Sequence, residues 1–301
     1  MVKYFAVAAA LKAFSSTRGT ERAYRKLGNA LGGRHRGTAR IPFYYFERVE
    51  RNVSLCRKYS LLKPGDSVLE IGTGWVHWEA LTLRMFFDFG ATLYDVWDNR
   101  QFDALQAYVR QLLLFLESKK EFGDAERAKS WAQKILATEN FDEFYELCGF
   151  EYALDSGGEM RALPNERFAL ILSGGVLEHV NRSSVPACIA SMARVLKPGG
   201  HCIHSINITD HLYLYDRSVS PKQYLKYSDT VWRRFFENGV QYINRIQRSE
   251  WLEMFSAAGF TLVSEGGAYA DLSKLKIHPK YHGFSRRDLE CTTLDLLLRK
   301  R

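Results

Sequence analysis

The chain has 301 residues, 46% hydrophobic and 14% aromatic, which supplies a large packed core and excludes wholesale disorder. Its net charge of +8 is local: residues 1–46 carry nine Lys/Arg and one acid, Glu21, leaving 33 basic and 33 acidic residues elsewhere. An enzyme of nucleic acids spreads basic charge around its working face, so this neutral body argues against DNA or RNA as a partner.

Val2, Phe5, Ala9 and Ala13 recur at helical spacing and predict a first short helix. A second is expected from a cap at Thr20, with Tyr24, Leu27 and Leu31 on one face and Gly32-Gly33 as its stop. Ile41-Pro42 then opens a helix that runs to about Tyr59. Residues 1–59 thus read as a basic helical arm or cap ahead of a main domain at 60–301. Apolar runs predict strands at residues 67–71, 91–96, 150–154, 168–172, 201–206, 260–264 and 291–298, with amphipathic helices between them. Two insertions interrupt this alternation: a charged helical one at about 117–149, and a polar, aromatic-rich one at about 207–248, helical in its second half. The pattern predicts an α/β fold, doubly wound and mostly parallel, with helices on both faces of the sheet.

Ligands of such sheets bind beyond the carboxyl ends of the strands, so the residues there are the candidates for chemistry. The first strand ends in Glu70-Ile71-Gly72-Thr73-Gly74-Trp75, a turn whose glycines let a ligand approach the backbone. The third glycine of a dinucleotide fingerprint is absent, which argues against NAD or FAD. Asp95 ends the second strand, where an acid hydrogen-bonds ribose hydroxyls, with Asp98 as its rival. Asp155 follows the third strand, and Ser173 opens the segment after the fourth, which continues through Glu178 and His179. Lys197-Pro198-Gly199-Gly200 is a tight turn into the fifth strand.

This order of elements resembles the class I, Rossmann-like S-adenosylmethionine-dependent methyltransferases over roughly residues 61–264. Glu70 to Gly74 is similar to that family's first motif, Asp95 to its second-strand acid, and Leu177-Glu178-His179-Val180 and Leu196 to Gly200 to its later motifs. The resemblance implies a seven-stranded sheet with one antiparallel strand in a final hairpin, S-adenosylmethionine as cofactor and S-adenosylhomocysteine as product. The cofactor residues it implies are Glu70, Gly72, Thr73, Gly74, Trp75, Asp95, Asp155 and Ser173. A narrower resemblance, through Tyr24 to Asn29, Asp210-His211, Asp216, Tyr227 to Asp229, Trp232 and Asn244-Arg245, is to methyltransferases of bacterial polysaccharide and glycan assembly.

A small-molecule or saccharide hydroxyl is therefore the expected acceptor. A natural-product O-, N- or C-methyltransferase and a cofactor-binding protein that transfers no methyl are the alternatives. A hydroxyl acceptor needs a base, and histidine suits neutral pH. His211 with Asp210 as its orienting partner is the first candidate, and His179 the second. Tyr213, Tyr215, Tyr227 and Trp232 are expected to floor an acceptor pocket or to pack as a lid, and Arg245 to clamp an anion. No metal is expected, because His204, Asp210, His211 and Asp216 match no ligand spacing. The five scattered cysteines predict reduced thiols in a cytoplasmic protein. The basic arm is read as a solvated helix pair, a cap on the active site, or a peripheral contact with anionic lipid. Nothing in the sequence sets an oligomeric state.

Overall fold

A computed structural model describes residues 1–118 and 124–301, the side chains of residues 33–35 aside. Seven strands form one sheet: β1 (Asp66–Ile71), β2 (Phe89–Asp95), β3 (Phe150–Leu154), β4 (Phe168–Gly174), β5 (Leu196–Asn207), β6 (Phe260–Tyr269) and β7 (Cys291–Lys300). Their order is β3-β2-β1-β4-β5-β7-β6, with β1 to β5 parallel and β7 antiparallel to both its neighbours. The strand order reverses between β1 and β4, and this places a crevice at the carboxyl ends of those strands. The turn expected at Lys197 to Gly200 lies inside the first part of β5, with Gly199 at φ +71°.

Because successive side chains in a strand point to opposite faces, each strand feeds two cores. Val68, Leu93, Leu170 and Ile203 meet α3 (Phe43–Tyr59), α4 (Trp78–Arg84), α5 (Phe102–Ser118), α6 (Ala125–Leu136) and α7 (Phe141–Cys148). Leu69, Ile71, Ile171 and Cys202 meet α8 (Val185–Val195) and α10 (Arg248–Ala257) on the other side. Packing thus reaches further back than residue 60, since Val49, Val53 and Cys56 of α3 lie in the first core.

The segment expected to be helical late in the 207–248 insertion is helical only in part. After short turns at 211–214 and 223–226 it forms only α9 (Asp229–Phe235), and residues 236–247 are irregular. The cause is local competition from amide side chains: Asn238 Oδ1 accepts from Gln241 N–H and Asn244 Oδ1 from Ile246 N–H, closing turns instead of a helix. The second arm helix also departs from expectation. It spans Arg18–Thr38 as α2 and passes through Gly32, and Thr17 rather than Thr20 precedes it, Thr17 Oγ1 accepting from Thr20 N–H. Part of the charged insertion, residues 119–123, lies outside the described residues.

Ahead of α3, the arm closes a third core. Tyr4, Ala8 and Leu11 of α1 (Val2–Phe14) pack with Leu212, Tyr224, Trp232 and Phe236 of the insertion. Tyr4 is fully buried, its hydroxyl donates to Asp210 Oδ2 at 2.6 Å, and its amide donates to Asp216 Oδ2 at 3.1 Å. Lys12 Nζ donates to the carbonyls of Arg233 and Glu237. The helix α2 then crosses to the other side of the crevice, where Arg36 lies 3.7 Å from the centre of the Trp75 ring and Arg25 lies 4.8 Å from that of Trp97. Among the described residues no helix is long and apolar enough to cross a membrane.

Candidate active site

The turn after β1 sits at the mouth of the crevice. Gly72 and Gly74 have φ of +66° and +63°, in the left-handed region that glycine enters without strain. A Cβ at Gly74 would meet nothing nearer than the Gly72 carbonyl at 3.8 Å, so the space above the turn is open. Gly72 is the reverse case, since a Cβ there would come within 2.4 Å of Val176 Cγ1. Gly72→Ala is therefore expected to cost about 2–5 kcal/mol from backbone strain and overpacking together. Urea unfolding measures this, and an unchanged midpoint would show that the turn yields freely.

Asp95 ends β2 directly beneath this turn. Its Oδ2 accepts from Gly74 N–H at 3.0 Å and its Oδ1 from Val96 N–H at 2.8 Å. Burial pushes its pKa up, opposed by these amides. A carboxylate has about four acceptor positions, so two amides leave capacity for ligand hydroxyls. Asp98 is instead paired with the Arg100 guanidinium.

Other residues expected at the cofactor support the turn from behind. Glu70 is buried, and accepts from the backbone N–H groups of Ala80 at 2.9 Å and Glu79 at 3.4 Å, holding the start of α4. Burial, with Glu79 nearby, pushes its carboxyl up to about 8. Thr73 Oγ1 bonds His77 Nδ1 at 2.7 Å. Burial holds His77 neutral, its pKa down at about 3. Asp155 accepts from the Tyr94 hydroxyl and the amides of Gly157 and Met160, shaping its own loop. Ser173 Oγ is spent on Nδ1 of buried His204 at 2.8 Å. Glu70 and Ser173 are buried with bonds to protein groups, whereas Asp155 is partly exposed at its loop. Trp75 is half-buried under the Arg36 guanidinium, whose Nε donates to Gln101 at 2.9 Å and whose buried Nη2 has no partner among the described residues.

The carboxyl ends of β4 and β5 bring three further groups together. A short helical turn at Leu177–His179 carries Glu178 and His179, and the segment after β5 carries His211. One ligating atom from each lies within 4.8 Å of the other two, and the two imidazoles meet edge-on at 4.9 Å between ring centres. Asn244 fixes this turn, its Nδ2 donating to the carbonyls of Leu177 and Val180 while its own N–H donates to that of Glu178. The Asp210–His211 pairing expected from the sequence does not form. Asp210 Oδ1 accepts from Leu212 N–H and Oδ2 from the Tyr4 hydroxyl, so this acid caps a turn and anchors the arm. Burial, reinforced by His179, lowers His211 to about 3 and leaves it a weak proton acceptor.

Beside this turn lies a cleft of about 480 Å³, whose lining includes Arg182, Arg233, Tyr242, Asn244, Arg245 and Lys280. Of the residues expected to meet an acceptor, only Arg245 is in that lining. Trp232 is buried and Tyr227 stacks on Phe236 at 4.5 Å, so both belong to the third core. Tyr215 bonds Gln241, and Tyr213 lies against Arg217.

A family model described as a methyltransferase domain matches residues 43–265. The chain belongs to this methyltransferase family. No curated protein sequence matches it. Among solved structures, the CurJ carbon methyltransferase aligns at 12% identity and a TM-score of 0.45, covering 84% of this chain and 53% of that one. A Haemonchus contortus phosphoethanolamine N-methyltransferase 2 aligns at 13% identity and 0.47, covering 83% and 52%. A SAM-dependent methyltransferase from Methanosarcina mazei aligns at 12% identity and 0.46, covering 81% and 96%. The chain spans about half the length of the first two. In this methyltransferase the matched span opens at the start of α3, and α1, which lies before it, is joined to it by the Tyr4 bonds to Asp210 and Asp216 across more than 200 residues. Arg36 over Trp75, and the grouping of Glu178 with both histidines, are features of the methyltransferase that no local pattern announced.

Proposed function

We propose that this methyltransferase uses S-adenosylmethionine and methylates an oxygen of a polar small-molecule or saccharide acceptor. The observation that carries this reading is the open turn at Gly72–Gly74 with Asp95 beneath it. It suits a ribose-bearing ligand lying close to backbone, and the remaining acceptor capacity of Asp95 suits ribose hydroxyls. Trp75, which follows the glycine turn and lies under the Arg36 guanidinium, suits the ligand's apolar part.

When bound, S-adenosylmethionine supplies an electrophilic methyl on sulfur. The residues then have two tasks, to align the acceptor and to provide for its proton. Alignment falls to the cleft, where Arg182, Arg233, Arg245 and Lys280 stand among Asp229, Glu237 and Glu250 and suit a hydroxyl-rich or phosphorylated molecule. Loss of the acceptor's proton is assisted by the Glu178, His179 and His211 group at the ends of β4 and β5. His179 Nδ1 donates to the Tyr242 carbonyl at 2.7 Å, and Tyr242 itself lines the cleft. Calorimetric titration with S-adenosylmethionine and S-adenosylhomocysteine tests the reading. Micromolar binding of both is expected, and a folded protein that binds neither would overturn it.

A further inference from the structure

We propose that Glu178, His179 and His211 form a site for a first-row divalent transition-metal ion, exposed on its His179 side, where His179 bonds the cleft residue Tyr242. Two imidazoles and one carboxylate suit zinc, manganese, cobalt or iron better than magnesium, which prefers an all-oxygen shell. Glu178 is buried, and among the described residues its Oε2 has no hydrogen-bond partner; the Arg48 charge also acts on this carboxyl but is ion-paired to Glu79. His211 is 9% exposed, and its Nε2 is likewise buried without a partner. A buried acid and a buried imidazole nitrogen left unsatisfied side by side each carry a desolvation cost that a shared cation removes.

His179 completes the set from the exposed side. Because its Nδ1 donates to the Tyr242 carbonyl, its Nε2 carries the free lone pair, the arrangement that orients imidazole ligands around metals. Metal–ligand bonds of about 2.0–2.2 Å place neighbouring ligand atoms roughly 3–3.5 Å apart. The present separations, within 4.8 Å, close to that with adjustments of about 1 Å, which the exposed His179 side chain can supply. Asn244 holds the turn from beneath, so two of the ligands ride on a fixed segment.

Three protein ligands leave coordination positions open, and His179, the most exposed of the three, gives the side on which an acceptor can approach. An acceptor oxygen bound there loses its proton more readily, as metal-bound water does, and the proton passes to solvent. This role for the ion rests on the methyl-transfer reading, whereas its binding does not.

The test is titration of tag-free, chelator-stripped protein with Co2+, followed by visible d–d absorption, with Mn2+ followed by electron paramagnetic resonance. Saturable binding of one ion per chain is expected, weakened at least 100-fold in Glu178→Gln and in His211→Ala, since a lost ligand exceeds the roughly 10–100-fold cost of an outer partner. His179→Ala, at an exposed position, serves where a buried variant fails to fold. Asp95→Ala is expected to keep the metal while losing the nucleoside. Metal binding without S-adenosylmethionine binding would leave the site standing and remove its proposed role. Absence of saturable binding, or binding unchanged in the folded variants, would overturn the site.

Discussion

Asp95→Ala is expected to weaken S-adenosylmethionine and S-adenosylhomocysteine alike, by about 100- to 10,000-fold, because both carry the same ribose. In the proposed cofactor site the carboxylate would accept from two ribose hydroxyls, and hydrogen bonds to a charged acceptor contribute about 1.5–3 kcal/mol each. Asp95 is also held by the Gly74 and Val96 amides, so its removal loosens the glycine turn and adds to the loss. Asp95→Asn, which keeps one acceptor oxygen, is expected to fall between the two. Calorimetry on all three proteins, with circular dichroism to confirm folding, gives the comparison. Wild-type affinity in Asp95→Ala would move the ribose elsewhere and take the cofactor assignment with it.

Tyr4→Ala is expected to produce the largest loss of stability, about 3–5 kcal/mol at the docked arm. The ring is fully buried against Phe236, and its hydroxyl is the partner of a buried carboxylate. The predicted sign is release of α1, read as new protease cleavage near residues 15–17 while the sheet persists. Tyr4→Phe keeps the ring and exposes the electrostatic part. Burial raises Asp210 to about 6, and the Tyr4 hydroxyl opposes that rise by stabilising the charged form. A folded pKa above the unfolded value means that the Asp210 contribution is present in acid and is lost as pH rises through the folded pKa. In Tyr4→Phe that pKa rises further, so α1 should be protected at pH 5 and cleaved readily at pH 8. Equal cleavage at both pH values would refute the role given to this carboxyl.

The sheet was legible because each of its strands is a short apolar run closed by a turn signal, and β3 has the limits expected of it, Phe150–Leu154. The turn at Gly72 and the acid at Asp95 were legible for a related reason, since their chemistry follows from their place at strand ends. What was not legible depends on contacts made across the chain. Asp210 stands beside His211 in sequence yet faces Tyr4, and that pairing spans 206 positions. Likewise His179 and His211 are 32 residues apart and meet only because β4 and β5 end side by side. Glu70 and Ser173 match cofactor motifs by position, and their bonds to helix amides and to a buried imidazole were not readable from that position. Residues 236–247 were expected to be helical with the rest of that half, and the side chains of Asn238 and Asn244 close turns there instead.

The bond between Tyr4 and Asp210 also sets an order of events during synthesis. Ribosomes add about 5–20 residues per second, so the first helix emerges roughly 10–40 s before the acid that will receive it has been made. Through that interval Tyr4, Ala8 and Leu11 have no site to enter, and the nascent helix presents an apolar stripe to whatever lies near the exit tunnel. Its docking is a late step, and the nascent chain is vulnerable until then.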